Sequence, residues 1–177
     1  DGQGMELVTG TMTVRAPAKK IRLASEDRAP PDIHPHVRHS QLVARCAGLA
    51  PAVTAVVHPC DPPSLTAAIE AAAAGLIVPI LVGPERKIRA AASEANLDIA
   101  KFRLVPVAHS HAAAAEAVAM ARRGEIELLM KGSLHTDELM HEVTAADTGL
   151  RTERRISHVF VMDVPGHAET LFITDAA

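Results

Sequence analysis

The stretch Leu129-Met130-Lys131-Gly132-Ser133-Leu134-His135-Thr136-Asp137 is where an apolar, strand-like run (126–130) gives way to a helical one (136–145). At that junction it supplies a lysine, a flexible glycine, two hydroxyls and a series of backbone N–H groups at one mouth. A helix N-terminus offers unpaired donors and a partial positive charge, worth roughly 0.3–1 kcal/mol per exposed anionic group. Lysine adds a full charge, and glycine lets the backbone come close to a ligand. A metal-free pocket for a phosphate-bearing ligand is built from such parts. The plainer reading, a tight strand–helix turn with an ordinary N-cap, fits the same residues. The order Lys-Gly-Ser is not the Gly-Lys-Ser/Thr that ends a P-loop, so a nucleotide triphosphatase is not indicated.

The same alternation extends outward from this junction. Apolar runs rich in β-branched residues begin at 53, 77, 102 and 126, and helical stretches lie at 64–74, 85–95, 109–123 and 136–145. Strand–helix units of this length, repeated, predict right-handed βαβ crossovers and a parallel sheet covered on both faces, a three-layer α/β/α fold. Alanine-rich helices suit a close approach to such a sheet. Beyond Gly149 the rhythm changes. The runs 158–164 and 170–174, joined through Pro165-Gly166-His167, are too close for a helical crossover. They are expected to be antiparallel or to belong to another sheet, opening a second domain. At the other end, 7–14 alternates like a strand, 15–39 reads as a Pro-, His- and charge-rich linker, and a short helix is expected over 40–49. His34, His36 and His39 are read as part of a solvated loop rather than as a metal site.

Composition narrows the partners. The 177 residues are 48% hydrophobic and 22% charged, with net charge −3, three Phe and neither Trp nor Tyr. Nucleic-acid binding calls for basic faces and aromatic platforms, both absent here. Cys46 and Cys60 lack CxxC spacing and have no histidines at ligand intervals, so no metal site is expected. No secretory segment or apolar run near 20 residues occurs, which predicts a cytoplasmic protein without membrane contact. The start, Asp1-Gly2-Gln3-Gly4, reads as a cut inside a longer polypeptide.

In open α/β sheets ligands collect beyond the carboxyl ends of the strands. The four ends here are His58-Pro59-Cys60-Asp61, Gly83-Pro84-Glu85-Arg86, Ala108-His109-Ser110-His111 and Lys131-Gly132-Ser133. Local structure accounts for the first three: Asp61 and Ser64 as caps, Pro84 as a first helical residue, Ser110 as the cap of its own helix. Cys60 is read as an inert turn cysteine. Ser133, His135 and Asp137 are too close in sequence to converge as a triad. Arg151, Arg154 and Arg155 form a basic cluster, either a solvated turn or an anion clamp.

The series Leu129-Met130-Lys131-Gly132, Thr136-Asp137, Gly149-Leu150-Arg151-Thr152, Ser157-His158-Val159, Met162-Asp163-Val164 and Leu171-Phe172-Ile173-Thr174-Asp175-Ala176-Ala177 resembles the phosphate acetyltransferase/phosphate butyryltransferase family. The likeness runs from about Ser40 to the end. Its Met-Lys-Gly and Ser-His-Val pieces are closer to the butyryl-type branch, and the arginine that acetyl-type enzymes carry near the position of Met140 is missing. The first 22 residues look similar to the tail strand of a hot-dog-fold enoyl-CoA hydratase domain. With a linker over 23–40, this suggests a bifunctional hydratase/acyltransferase.

The resemblance implies a fold like that of isocitrate and isopropylmalate dehydrogenases, with a first domain over 41–150 and the start of a second over 151–177. It implies reversible acyl transfer between coenzyme A and inorganic phosphate through an acyl phosphate, with coenzyme A as substrate, no permanently bound cofactor, no metal and a homo-oligomer. Carried over by position, Lys131, Gly132, Ser133 and Thr136 would line the phosphate side of a cleft, approached by Arg154 and Ser157. The residues the family credits with catalysis lie in its distal half, so the segment alone is expected to be inactive. Two other readings stand beside this one: an oxidoreductase on the same fold, and a non-catalytic assembly segment whose exposed strands pair with another chain.

Overall fold

The structure is a computed structural model whose described residues are 37–164 and 169–174, all within one compact unit, His36–Ala177. The expected tail strand at 7–14 and most of the expected linker lie outside the described residues.

A helix α1 (Val37–Arg45) precedes an alternating series: β1 (Ala52–Val57), α2 (Pro62–Ala73), β2 (Ile77–Gly83), α3 (Glu85–Glu94), β3 (Arg103–Pro106), α4 (Ser110–Arg122), β4 (Leu128–Lys131) and α5 (Thr136–Thr144). The four strands form one parallel sheet in the order β3-β2-β1-β4. The chain therefore steps outward from β1 through β2 to β3, then reverses to lay β4 on the other side of β1.

Side-chain alternation along the strands divides the core into two layers. Val56 and Leu81 face α2 and α3, where they meet Leu65, Ala68, Ile88, Ala91 and Ala92. Ala55, Val57, Ile80 and Val82 face the other way, against Ala113, Ala114, Ala117 and Met120 of α4 and Leu139 of α5. The α4 contacts recur at helical spacing, and alanine at three of the four lets the helix axis approach the sheet. The three-layer arrangement is the one expected from the strand–helix rhythm. Helices that switch faces where the strand order reverses are what right-handed crossovers demand.

Helix starts differ from expectation in two places. Asp61 caps α2 as expected, accepting from Ser64 N–H at 3.0 Å. Ser110, however, is already the first residue of α4, and its cap is His109: extended at φ −157, it offers Nδ1 to Ala112 N–H at 3.2 Å. Pro84 stands at the cap of α3 rather than inside it, while Pro62 fills the first turn of α2. His39 is an exposed residue of α1 rather than of a loop. None of the described helices is long and apolar enough to cross a membrane.

Past α5, β5 (Val159–Met162) and β6 (Leu171–Thr174) pair antiparallel as a separate two-stranded sheet, with Val159 opposite Thr174 and Met162 opposite Leu171. Apolar side chains of this ribbon remain open to solvent, Phe160 being 56% and Phe172 66% exposed.

Candidate functional site

The reversal between β1 and β4 creates a switch point, and ligands of open α/β sheets lie at the carboxyl ends of the strands that flank one. Here those ends are Val57-His58 and Lys131-Gly132-Ser133. Gly132 N–H donates to Val57 O and Ser133 N–H to His58 O, both at 2.9 Å, so the two loops stay zipped past the ends of their strands. A Cβ on Gly132 would stand 2.5 Å from Val57 O and 2.7 Å from His58 O. Glycine is required there by close backbone approach. His58, buried at 9% exposure, takes φ +55, the left-handed region that non-glycine residues seldom enter.

Ser133 serves this junction. Its hydroxyl donates to His58 O at 2.8 Å and accepts from Cys60 N–H at 3.1 Å, and it lies 3.3 Å from Nδ1 of His58. In the Ser133–His58 contact Nδ1 donates when the hydroxyl proton is on the carbonyl and accepts when the hydroxyl turns to the ring. Ser133, expected to contact phosphate, joins the two loops in this structure. The histidine it meets comes from the far side of the switch point; His135, two residues on, is the exposed cap of α5.

The Lys131 ammonium folds over its own loop, donating to Leu134 O at 2.9 Å and Gly132 O at 3.3 Å. Leu134 is anchored in the core at 4% exposure, which fixes the carbonyl that Lys131 grips. No carboxylate among the described residues pairs with Lys131 within 4.0 Å, so one N–H and the full charge remain for a ligand. Thr136 begins α5, whose cap His135 makes no side-chain capping bond. Lys131, Gly132, Ser133 and Thr136 thus lie along the loop from the end of β4 to the start of α5.

Arg154 and Ser157 are not gathered with them. Arg154 lines an open hollow of about 470 Å³ with Thr144, Arg151, Thr152 and Arg155. Thr144 is the last residue of α5 and Thr136 the first, so the arginine cluster stands at the opposite end of a helix roughly 13 Å long. Ser157 is exposed in the segment leading to β5.

The sequence reading passes over Lys87 and Glu138, two charges that act on His58. His58 has its basicity lowered, first by burial and then by the charge of Lys87, against the opposing influence of Glu138 and Asp61. Burial also pushes the Cys60 thiol up to about 11, with Lys87 pulling the other way. Lys87, in the first turn of α3, looks from sequence like any solvated helix residue; only the fold brings it to this edge. Glu138, in the first turn of α5, has Oε1 3.7 Å from His111 Nε2, and its Oε2 is buried without a partner among the described residues.

No family model matches the chain. The phosphate acetyltransferase of Rhizobium meliloti is 67% identical over 140 residues, covering 79% of this chain and 44% of that protein. The phosphate acetyltransferase of Rickettsia felis is 47% identical over 148 residues, covering 83% and 42%. The phosphate butyryltransferase of Clostridium beijerinckii is 34% identical over 137 residues, covering 77% and 45%. The chain spans less than half the length of these relatives. Against the expected leaning to the butyryl branch, the higher identities are to acetyl-named relatives. In three dimensions the chain is similar to a branched-chain phosphotransacylase from Enterococcus faecalis V583, with TM-score 0.55 and 21% identity over 70% of this chain and 42% of that one. It is also similar to the EutD phosphotransacetylase from Staphylococcus aureus, with TM-score 0.56 and 15% identity over 77% and 49%. At such identities these two likenesses speak for the fold.

Proposed function

We propose, for a chain whose relatives and fold support the phosphate acetyltransferase/butyryltransferase family, that it holds the phosphate side of a reversible acyl transfer between coenzyme A and inorganic phosphate. In that reaction a phosphate oxygen attacks the thioester carbonyl, a C–O bond forms and the C–S bond breaks. The products are acyl phosphate and coenzyme A, whose sulfur takes the proton that phosphate gives up. The chemistry needs no covalent enzyme intermediate, so catalysis is a matter of positioning and charge. Lys131, with its free N–H, and the uncapped start of α5 at Thr136 bind the phosphate. Gly132 keeps the approach open, and Ser133 holds the loops together behind it.

The observation that carries this reading is the Lys131 ammonium, held at the end of β4 by two backbone carbonyls with no described carboxylate paired to it. Its test is Lys131→Ala in the intact protein. Loss of a charge-assisted hydrogen bond, about 1.5–3 kcal/mol, should raise the KM for phosphate by roughly 10- to 100-fold while the KM for coenzyme A moves little. Equal losses for both substrates would remove the assignment.

Around this core reading we place the finer expectations. Arg154 and Ser157, at the root of a second domain beginning near 151, belong to a dehydrogenase-like two-domain cleft and reach the phosphate when that cleft closes. The residues before 41 belong to a hydratase-like domain and its linker, and the protein works in the cytoplasm as a homo-oligomer. The apolar ribbon β5–β6 favours a second role for this part of the chain, as an assembly surface, because a two-stranded ribbon is marginal alone. Concentration-dependent association that neither phosphate nor coenzyme A alters would support that role.

A further inference from the structure

The transfer reaction proposed above uses Arg154 but leaves Arg151 and Arg155 without a task. All three line one open hollow of about 470 Å³ beside Thr144, at the end of α5. Among the described residues no carboxylate lies within 4.0 Å of any of these guanidinium groups. Other arginines of this chain are paired: Arg89 with Glu85 at 2.7 Å, and Arg123 with Glu116 at 2.9 Å and Glu125 at 2.6 Å. Against its three cations the lining of the hollow sets a single carboxylate, Glu153.

A fixed turn carries this hollow. Arg122, the last residue of α4, donates to Asp147 O. Gly149 N–H returns to Ala145 O at 3.2 Å and Leu150 N–H to Val143 O at 2.8 Å. A Cβ on Gly149 would stand 2.5 Å from Ala145 O and 2.6 Å from Val143 O, so glycine alone lets the chain turn back this closely on α5. Arg151 follows at once, and Arg154 N–H donates to Thr152 Oγ1 at 3.1 Å, which curls 151–155 round the hollow. The carbonyls of Val143 and Ala145 at the helix end are met by backbone N–H groups, so the arginines are not needed to cap them. From this end a row of residues leads back towards Lys131. Thr136, Met140 and Thr144 follow one another at four-residue spacing on one face of α5. The two threonines are exposed and Met140 between them is half-buried.

We propose that Arg151 and Arg155 hold the nucleotide phosphates of coenzyme A, with the pantetheine arm laid along the face of α5 that carries Thr136, Met140 and Thr144 and the thiol at the Lys131 end. This rests on the acyltransferase reading above and specifies where its second substrate lies. The lengths agree: sulfur and diphosphate are separated by about thirteen bonds, roughly 15 Å when extended, and α5 is roughly 13 Å long. The charges agree as well. The nucleotide end carries a diphosphate and a 3′-phosphate, and a planar guanidinium binds phosphate oxygens two at a time. Met140 gives the methyl and methylene groups of the arm an apolar surface midway.

The experiment is equilibrium binding of coenzyme A and of inorganic phosphate to the intact protein by calorimetry, for the wild type, the double variant Arg151→Gln/Arg155→Gln and Arg89→Gln. Arg89 is the charge control: it is paired with Glu85 on α3, which packs on the sheet face opposite α5. The double variant should bind coenzyme A at least about tenfold more weakly, the low end for one charge-assisted hydrogen bond. Its Kd for phosphate should stay within about twofold of the wild type, and Arg89→Gln should bind both ligands as the wild type does. Unchanged coenzyme A affinity in the double variant overturns the inference and leaves the acyltransferase reading to its Lys131→Ala test. Parallel losses for coenzyme A and phosphate also overturn it, since they report a disturbed fold, and so does an equal loss in Arg89→Gln, which reports net charge alone. A wild type that binds no coenzyme A overturns both.

Discussion

The Ser133 hydroxyl lies 3.3 Å from Nδ1 of His58, a residue 75 positions earlier in the chain, and is bonded to the backbone at His58 O and Cys60 N–H. A side chain that looks from its neighbours like a phosphate ligand is thereby the fastening of the switch point. It links the loop after β1 to the loop after β4 beyond the last strand-to-strand hydrogen bond.

Ser133→Ala should therefore cost stability more than affinity. It removes the hydroxyl's bonds to His58 O and Cys60 N–H, while His58 O keeps the N–H groups of Cys60 and Ser133, a loss of about 0.5–1.5 kcal/mol measurable by urea unfolding. Phosphate affinity should fall less than in Lys131→Ala. Unchanged stability together with abolished phosphate binding would show that the hydroxyl is a ligand after all.

Gly132→Ala tests the close approach of the loops. The added methyl group would meet two backbone carbonyl oxygens at 2.5 and 2.7 Å, and neither can turn aside as a flexible side chain would. Forcing β4 away from β1 should cost about 1–3 kcal/mol, the range for overpacking, and misplace Lys131 as well. Gly124→Ala is a useful contrast: it has open space around it and φ +71, so only left-handed strain of about 1–2 kcal/mol applies. A Gly132 variant with native stability and native phosphate affinity would show that the junction is looser than its geometry implies.

Much of this architecture is legible in sequence because burial on both faces leaves a strong trace. Runs such as Ile77–Gly83 are almost uninterrupted apolar sequence, and the helices between them repeat small residues at helical spacing. The order β3-β2-β1-β4 leaves no such trace. Any sequence of strand–helix units could wind outward without reversing, and the reversal is what puts His58 beside Ser133. Lys131 and Gly132 are visible because they sit at a strand end next to a helix start. The effect of Lys87 on His58 and Cys60 is invisible for the converse reason, since it depends on which strands are neighbours. The capping of α4 by His109 in place of Ser110 is a shift of one residue, within the range over which local signals compete.

Cys60 should prove unreactive and dispensable for chemistry. With its thiol pushed up to about 11 by burial, only roughly a thousandth is thiolate at pH 8, whereas an unperturbed cysteine would be ionised to about a quarter. Alkylation followed by mass spectrometry should find Cys60 slow at pH 8 and faster as the pH approaches 11, and Cys60→Ala should retain acyl transfer. Rapid labelling at neutral pH, or loss of turnover in that variant with the fold intact, would restore the cysteine as a nucleophile.

The acid limb of stability should carry the signature of His58. Burial and the Lys87 charge hold its basicity below the ordinary histidine value of 6.5, so the folded chain binds fewer protons at this site than the unfolded chain does. Stability then rises with pH across the window between the lowered value and 6.5. It is fully present above 6.5 and is lost as the pH falls through the folded-state value, with a slope of at most about 1.4 kcal/mol per pH unit from one group. His58→Asn removes the titration while keeping a residue that tolerates the left-handed backbone. The difference between wild-type and variant unfolding free energies, measured in urea from pH 8 to pH 5, should shift steadily against the wild type below pH 6.5. A constant difference across that range would mean that the fold does not lower the basicity of His58.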